Sequence, residues 1–162
     1  MQIDFTDIQE MQQWSVVNDG VMGGVSQGGI KPSQSVTAIF SGWLSLENNG
    51  GFASIRRRID CQSLKGCSGI ILKVIGDGRT YQFRVRTDGQ YDGIAYRALF
   101  VTDNQTWQSI TLFFDDFHAS FRGRSIPGAP ALYAEDIQQI GFLIADKQPG
   151  LFRLEIAEIK SF

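Results

Sequence analysis

The sequence predicts an all-β antiparallel sandwich, and three observations carry that expectation. Apolar residues recur with a period of two along most of the chain, the step that puts alternate side chains on one face of a strand. Gly-, Asn- and Asp-rich turn signals separate these runs at short intervals. No stretch of helical period intervenes between them, which argues against a parallel sheet with crossover helices. Twelve Phe in 162 residues supply a large aromatic core, and 18 Gly suit a chain with many tight turns.

Taken in order, Thr6–Gln13 is the one stretch that reads as a helical turn. Thr6 stands at the cap position, Gln9 at the capping-box position, and Ile8 and Met11 lie three apart. Ala53, Ile55 and Ile59 face one way while Ser54, Arg56 and Arg58 face the other. Tyr81, Phe83 and Val85 alternate with Gln82, Arg84 and Arg86 in the clearest half-buried strand. Ile110 and Leu112 alternate with Ser109, Thr111 and Phe113. Short apolar runs at Ile70–Ile75, Leu99–Val101, Ile140–Ala145 and Leu151–Ile159 complete the strands. Asn18-Asp19-Gly20, Asn48-Asn49-Gly50-Gly51, Gly76-Asp77-Gly78 and Asp88-Gly89 mark turns. Residues 115–136 lack periodicity and contain Gly123, Pro127, Gly128 and Pro130, the mark of a structured loop. With no linker, repeat or composition shift, residues 1–162 are expected to form a single β-sandwich domain.

Charge and composition exclude several functions. Fifteen Lys and Arg against 17 Asp and Glu give a formal net charge of −2, without the basic excess of a general nucleic-acid binder. No segment approaches the ~18 apolar residues of a membrane-spanning helix. The start Met1-Gln2-Ile3-Asp4-Phe5 has neither a basic nor an apolar leader pattern, so the expected location is cytoplasmic. One histidine, His118, excludes a multi-histidine metal centre. Cys61 and Cys67, with five residues between them, match neither a zinc nor a redox spacing and are expected to be reduced thiols. No phosphate-cradling glycine motif is present. No metal and no cofactor are therefore expected.

Three constellations are candidates for chemistry. Arg56, Arg58, Arg84 and Arg86 fall on the polar phase of their strands, and Arg97 is a candidate to join them. Neighbouring strands would make this a basic sheet face suited to carboxylate or phosphate, or a solvated face with acidic partners across the strands. Asn18-Asp19-Gly20-Val21-Met22-Gly23-Gly24 is either a ligand- or cation-binding loop around Asp19 or a tight connection whose side chains cap their own backbone. Asp115-Asp116-Phe117-His118, followed by Arg122 and Arg124, superficially suggests acid–base machinery. Adjacent Asp residues on extended chain point opposite ways, however, and no third orienting group is visible. A loop anchored by Phe114, Phe117 and Phe121 with its charges outward is the plainer reading. Trp14, Trp43 and Trp107 are candidates for a sugar platform, with core or edge packing as the default.

Across nearly the whole chain the motifs resemble one family. Asn18-Asp19-Gly20-Val21-Met22-Gly23-Gly24-Val25-Ser26, Phe40-Ser41-Gly42 and Asn48-Asn49-Gly50-Gly51-Phe52-Ala53-Ser54-Ile55-Arg56 lead the match. Trp107, Phe114-Asp115-Asp116-Phe117, Arg122-Gly123-Arg124, Ile140-Gly141-Phe142, Ala145-Asp146-Lys147-Gln148 and Gly150–Ile156 follow in order. Together they resemble the complex I intermediate-associated protein 30 family. Phe113 and Leu151 depart from the family pattern, which usually has Pro at both places. The resemblance implies a jelly-roll sandwich of the galactose-binding-like type. It also implies a non-catalytic assembly module whose partners are protein subunits of a membrane respiratory complex, or its assembly intermediates. The contact surfaces expected on this reading are Arg56, Arg84, Arg86 and Arg97 on the sheet face, with Asp19 and Arg122 in the loops. The alternative is a carbohydrate- or small-anion-binding module on the same sandwich.

Overall fold

A computed structural model describes residues 1–89, 93–104 and 106–162. Thirteen strands among them form two antiparallel sheets. In chain order these are β1 (Gln2–Asp4), β2 (Trp14–Val16), β3 (Gln27–Pro32), β4 (Ala38–Leu44), β5 (Ala53–Arg58), β6 (Gly69–Ile75) and β7 (Thr80–Arg86). They continue with β8 (Ala95–Val101), β9 (Gln108–Phe113), β10 (His118–Phe121), β11 (Arg124–Ser125), β12 (Gln139–Ile144) and β13 (Gly150–Ser161). One sheet runs β3-β4-β13-β6-β9, with β1 also paired to β13. The other runs β11-β10-β8-β7-β12-β5-β2. The twelve-residue β13 serves three partners, and a bulge between Ile156 and Glu158 shifts its register.

Alternation decides which residues meet between the sheets. Ile55, Phe142 and Phe83 stand opposite one another on β5, β12 and β7 and point inward, as the period-two pattern requires. Phe83 and Phe142 pack edge to face at 5.2 Å, and Trp14 stacks on Phe142 at 6.1 Å. From the facing sheet, Phe40 and Phe152 meet edge to face at 5.0 Å. One hydrophobic cluster unites all of these with Leu72, Leu154 and Ile156.

Two local expectations are corrected. The helical turn α1 (Ile8–Met11) is capped by Asp7 and not by Thr6: the Asp7 carboxylate accepts from the Gln9 N–H at 2.9 Å. Thr6 is instead drawn back onto the Asp4 carboxylate, accepting no role at the helix. The loop expected over 115–136 contains β10 and β11. Their hairpin is closed by Arg122 (φ +48°) and Gly123 (φ +78°), a two-residue left-handed turn that matches strand twist. Strands of four and two residues are too short to show a period, which is why alternation does not reveal them. Phe114 and Phe117 anchor this region in the core, whereas Phe121 is exposed. Cys61 and Cys67 are both free thiols, Cys61 at the surface.

Candidate functional site

The registers bring the predicted arginines into one line. Across the outer face of the seven-stranded sheet, Ser15, Arg56, Gly141, Arg84, Arg97 and His118 stand opposite one another in turn on β2, β5, β12, β7, β8 and β10. Directly opposed residues share a face. Arg97 thus joins Arg56 and Arg84, and Arg86 lies one pleat further along β7, opposite Gln139. In the other direction Gln82 stands between Leu143 and Leu99.

This face is less open than its polar phase suggests. Arg56 and Arg86 are only 8% and 6% exposed, Arg84 and Arg97 half-buried. Long guanidinium side chains laid side by side on a sheet cover one another's stems. Between Arg56 and Arg84 the row carries Gly141, so no side chain fills the space over β12. A Cβ at 141 would stand 2.4 Å from the Ile55 carbonyl oxygen, so the close approach of β5 and β12 requires glycine there. The result is a shallow depression lined by Ser54, Arg56, Arg84, Arg86, Gly141 and Leu143.

Arg84 is the electrostatic centre of the face. Burial, and then the neighbouring charges of Arg86, Arg56 and Arg97, push its guanidinium from its usual value down to about 9. Its Nη2 donates to the Ser120 hydroxyl at 3.0 Å, while its buried Nε meets no hydrogen-bond partner among the described residues. The buried Oε1 atoms of Gln82 and Gln139, on either side of the row, also lack a donor. Gln82 shares the polar phase of Arg84, so its place was readable from spacing. Gly141, Gln139 and Ser120 belong to the face only through pairing.

The loops named by the sequence lie elsewhere. Asp19 is wholly buried, so it presents no atom to a partner. Its carboxylate accepts from the Ser26 N–H (2.9 Å), the Ser26 hydroxyl (2.6 Å), the Gly51 N–H (2.7 Å) and the Phe52 N–H (3.3 Å). Asn18 donates to the Gly28 carbonyl at 3.1 Å, and its Oδ1 accepts from Ser54. A Cβ at Gly24 or Gly50 would fall 2.4–2.5 Å from the Asp19 carboxyl atoms. The Asn-Asp-Gly and Asn-Asn-Gly-Gly motifs are therefore two halves of one fastening between the sheet crossovers 17–26 and 45–52. Arg122 sits exposed at the β10–β11 hairpin, its guanidinium 5.1 Å from the Phe121 ring centre. The hairpin lies beyond His118 on β10, so neither loop residue joins the arginine row.

A second fastening escaped sequence analysis. Arg79 clamps Asp146 with Nε and Nη2 at 2.8 and 2.6 Å and donates to the Leu151 carbonyl at 2.9 Å. Asp77 accepts from the Tyr81 hydroxyl (3.0 Å) and the Arg153 N–H (2.7 Å). Burial and the Asp77 charge hold the Tyr81 phenol well above its ordinary pKa. Asp146 reads as a surface strand end by sequence because its partner is 67 residues away. Trp43 and Trp107 are half-exposed on or beside the six-stranded sheet, apart from the arginine face, and Trp14 is core.

Known proteins give the same picture of the fold. A family 11 carbohydrate-binding module from Clostridium thermocellum, solved with a β-1,3-1,4-mixed-linked tetrasaccharide, superposes with a TM-score of 0.69 at 15% identity, over 98% of this chain and 94% of that one. The family 11 module of the Clostridium thermocellum cellulase Lic26A-Cel5E gives 0.70 at 14% identity, over 100% and 95%. These establish a galactose-binding-like sandwich. In sequence, the mitochondrial complex I intermediate-associated protein 30 of Mus musculus is 26% identical over 98% of this chain and 54% of its own length. Its namesake in Drosophila melanogaster is 26% identical over 94% and 59%. The chain thus spans little more than half the length of these relatives. Their naming as mitochondrial overturns the expectation of a cytoplasmic protein, since the pattern at Met1–Phe5 decides nothing about location. The sequence model of complex I intermediate-associated protein 30 matches residues 3–156, and the chain belongs to that family.

Proposed function

We propose that this chain is a non-catalytic protein-binding module that engages assembly intermediates of respiratory complex I through the outer face of its seven-stranded sheet. The observation that carries the reading is the Arg56–Arg84–Arg97 row, a concentration of positive charge on a chain of net charge −2. Such a face attracts an acidic surface and repels a basic one. Membership of the assembly-factor family supports the choice of partner. The non-catalytic part is supported by His118, which stands opposite Arg97 and not a carboxylate. The test is affinity purification of the tagged full chain from its native cells. Complex I subunits should co-purify at low salt and be lost as salt rises, because exposed charges are screened over ~8–10 Å at physiological ionic strength. Capture unaffected by salt and by Arg97→Glu would sink the reading.

A carbohydrate-binding module is the second reading, favoured by the likeness in fold to the family 11 module solved with a tetrasaccharide. Against it, the half-exposed Trp43 and Trp107 do not flank the arginine depression. Saturable binding of that tetrasaccharide by calorimetry would favour it.

A further inference from the structure

We infer that the depression over Gly141 is a seat for one carboxylate, the side chain of an Asp or Glu within an extended acidic segment of a protein partner, held by the Nε–H of Arg84. This rests on the reading of the sheet face as a protein-docking surface and specifies the chemistry of its occupant. Three buried polar atoms, none with a partner among the described residues, define the seat. Arg84 Nε is a cationic donor; Gln82 Oε1 and Gln139 Oε1 are acceptors on its two sides. Buried polar atoms are ordinarily satisfied, so a run of three on one face marks groups that a ligand completes.

Their order selects the ligand. Gln82 lies two residues before Arg84 on β7. Gln139 lies two residues before Gly141 on the antiparallel β12, on the other side of the row. Along the strands the sequence is acceptor, cationic donor, then an acceptor directly opposite the guanidinium of Arg86, with steps of about 7 Å, two residues of extended chain. An extended peptide carrying one carboxylate offers the complement: an acidic oxygen at the centre and amide N–H groups two residues to each side. Isolated oxyanions fill only the central position. Leu143, Leu99 and Val101 flank the Gln82 side, the last two 58% and 66% exposed, and give the segment an apolar shoulder. The free side chain also has a reason to accept an anion. Arg84 sits directly opposite Arg97, and among the described residues its side chain donates to a neutral hydroxyl. A carboxylate there converts repulsion between like charges into a charge-assisted pair.

The test follows the arginine Nε–H resonances of the full chain by 15N NMR, with the Arg84 peak assigned by its loss in Arg84→Lys. Arg57 and Arg79 are internal controls, because their Nε–H groups already donate to Glu10 and Asp146. Titration with sodium acetate should shift the Arg84 peak saturably and leave those two in place. An Ala-rich nonapeptide with a central Glu should shift the same peak at lower concentration. Its Gln counterpart should bind about tenfold or more weakly, the worth of one charge-assisted hydrogen bond. Arg97→Glu, which sets a carboxylate opposite Arg84 from within, should abolish the acetate response and keep the fold. Equal shifts at all three arginines, or none at Arg84, would overturn the seat. So would inorganic phosphate outcompeting the Glu peptide, which would make the occupant a phosphoryl group. The co-purification arm separates the two levels. A seat intact by NMR with capture unchanged in Arg84→Gln refutes Arg84 as part of the docking surface. Capture lost in Arg84→Gln without any acetate shift keeps the docking surface and refutes the seat.

Discussion

Asp19 and Arg84 are both charged groups withdrawn from water, and they are treated in opposite ways. Asp19 sits at the crossover end of the sandwich, wholly buried, with four donors converging on two oxygens. Two glycines leave room for it. Arg84 lies in mid-sheet among three other guanidinium groups, with one hydroxyl as hydrogen-bond partner and its Nε left open among the described residues. A buried ion with every hydrogen bond made holds structure together; one with an open valence among like charges destabilises the free protein. The difference separates residues that fasten the fold from residues that await a partner: Asp19 stands in a motif that marks the family, and Arg84 lies outside those motifs.

The largest expected break of this contrast is Asp19→Ala. It strands the Ser26, Gly51 and Phe52 donors in the interior and should lower stability by about 3–5 kcal/mol, a fall in Tm of roughly 6–20 °C. Chemical denaturation measures it, and a loss under 1 kcal/mol would mean that the fastening is dispensable. Within the same loop, Gly24→Ala and Gly50→Ala should each lose about 1–3 kcal/mol, because the added methyl runs into the carboxylate. Gly20→Ala meets nothing within 4 Å and should stay within about ±0.5 kcal/mol. Equal losses at all three positions would point to backbone conformation and not to crowding at Asp19.

The opposite sign is expected at Arg84. Arg84→Gln removes a buried, like-charged group and should leave stability unchanged or raise it by about 1–2 kcal/mol. A marked loss would show that the guanidinium is satisfied in the free protein. The smallest effect is on pH dependence. With the Arg84 guanidinium lowered to about 9 in the fold, well below its ordinary value, the unfolded chain binds more protons above about pH 9. Stability contributed by Arg84 therefore rises with pH above about 9 and is flat below it, where folded and unfolded chains both hold the proton. Between pH 8 and 10 the gap between the wild type and Arg84→Gln should narrow by about 1 kcal/mol.

Much of this contrast can be traced in the sequence, but unevenly. The alternation of Tyr81–Arg86 puts Gln82, Arg84 and Arg86 on one face, since strand geometry fixes a period of two locally. Arg97 could be placed beside them only as a candidate, because its position depends on how β8 pairs with β7. Asp19 carried two readings, ligand loop or self-capped turn. Its donors at Gly51 and Phe52 lie 32 and 33 residues away, where no spacing rule reaches. Asp146 is illegible for the same reason, its partner Arg79 lying 67 residues away, and β10 and β11 are too short to show a period.

By itself the sequence determined the runs of β5, β6, β7, β8, β9, β12 and β13, the turn signals around them, the phase of each arginine on those strands and, through its motifs, the family. Those properties are local, set by φ and ψ preferences and by the alternation of side chains along a strand. Tertiary structure alone decided that Arg56, Gly141, Arg84 and Arg97 share one row, and that Asp19 is interior while Arg84 keeps a donor open among the described residues. Burial and cross-strand register are properties of pairs of segments brought together by folding, and a single strand carries no record of the neighbour it will meet.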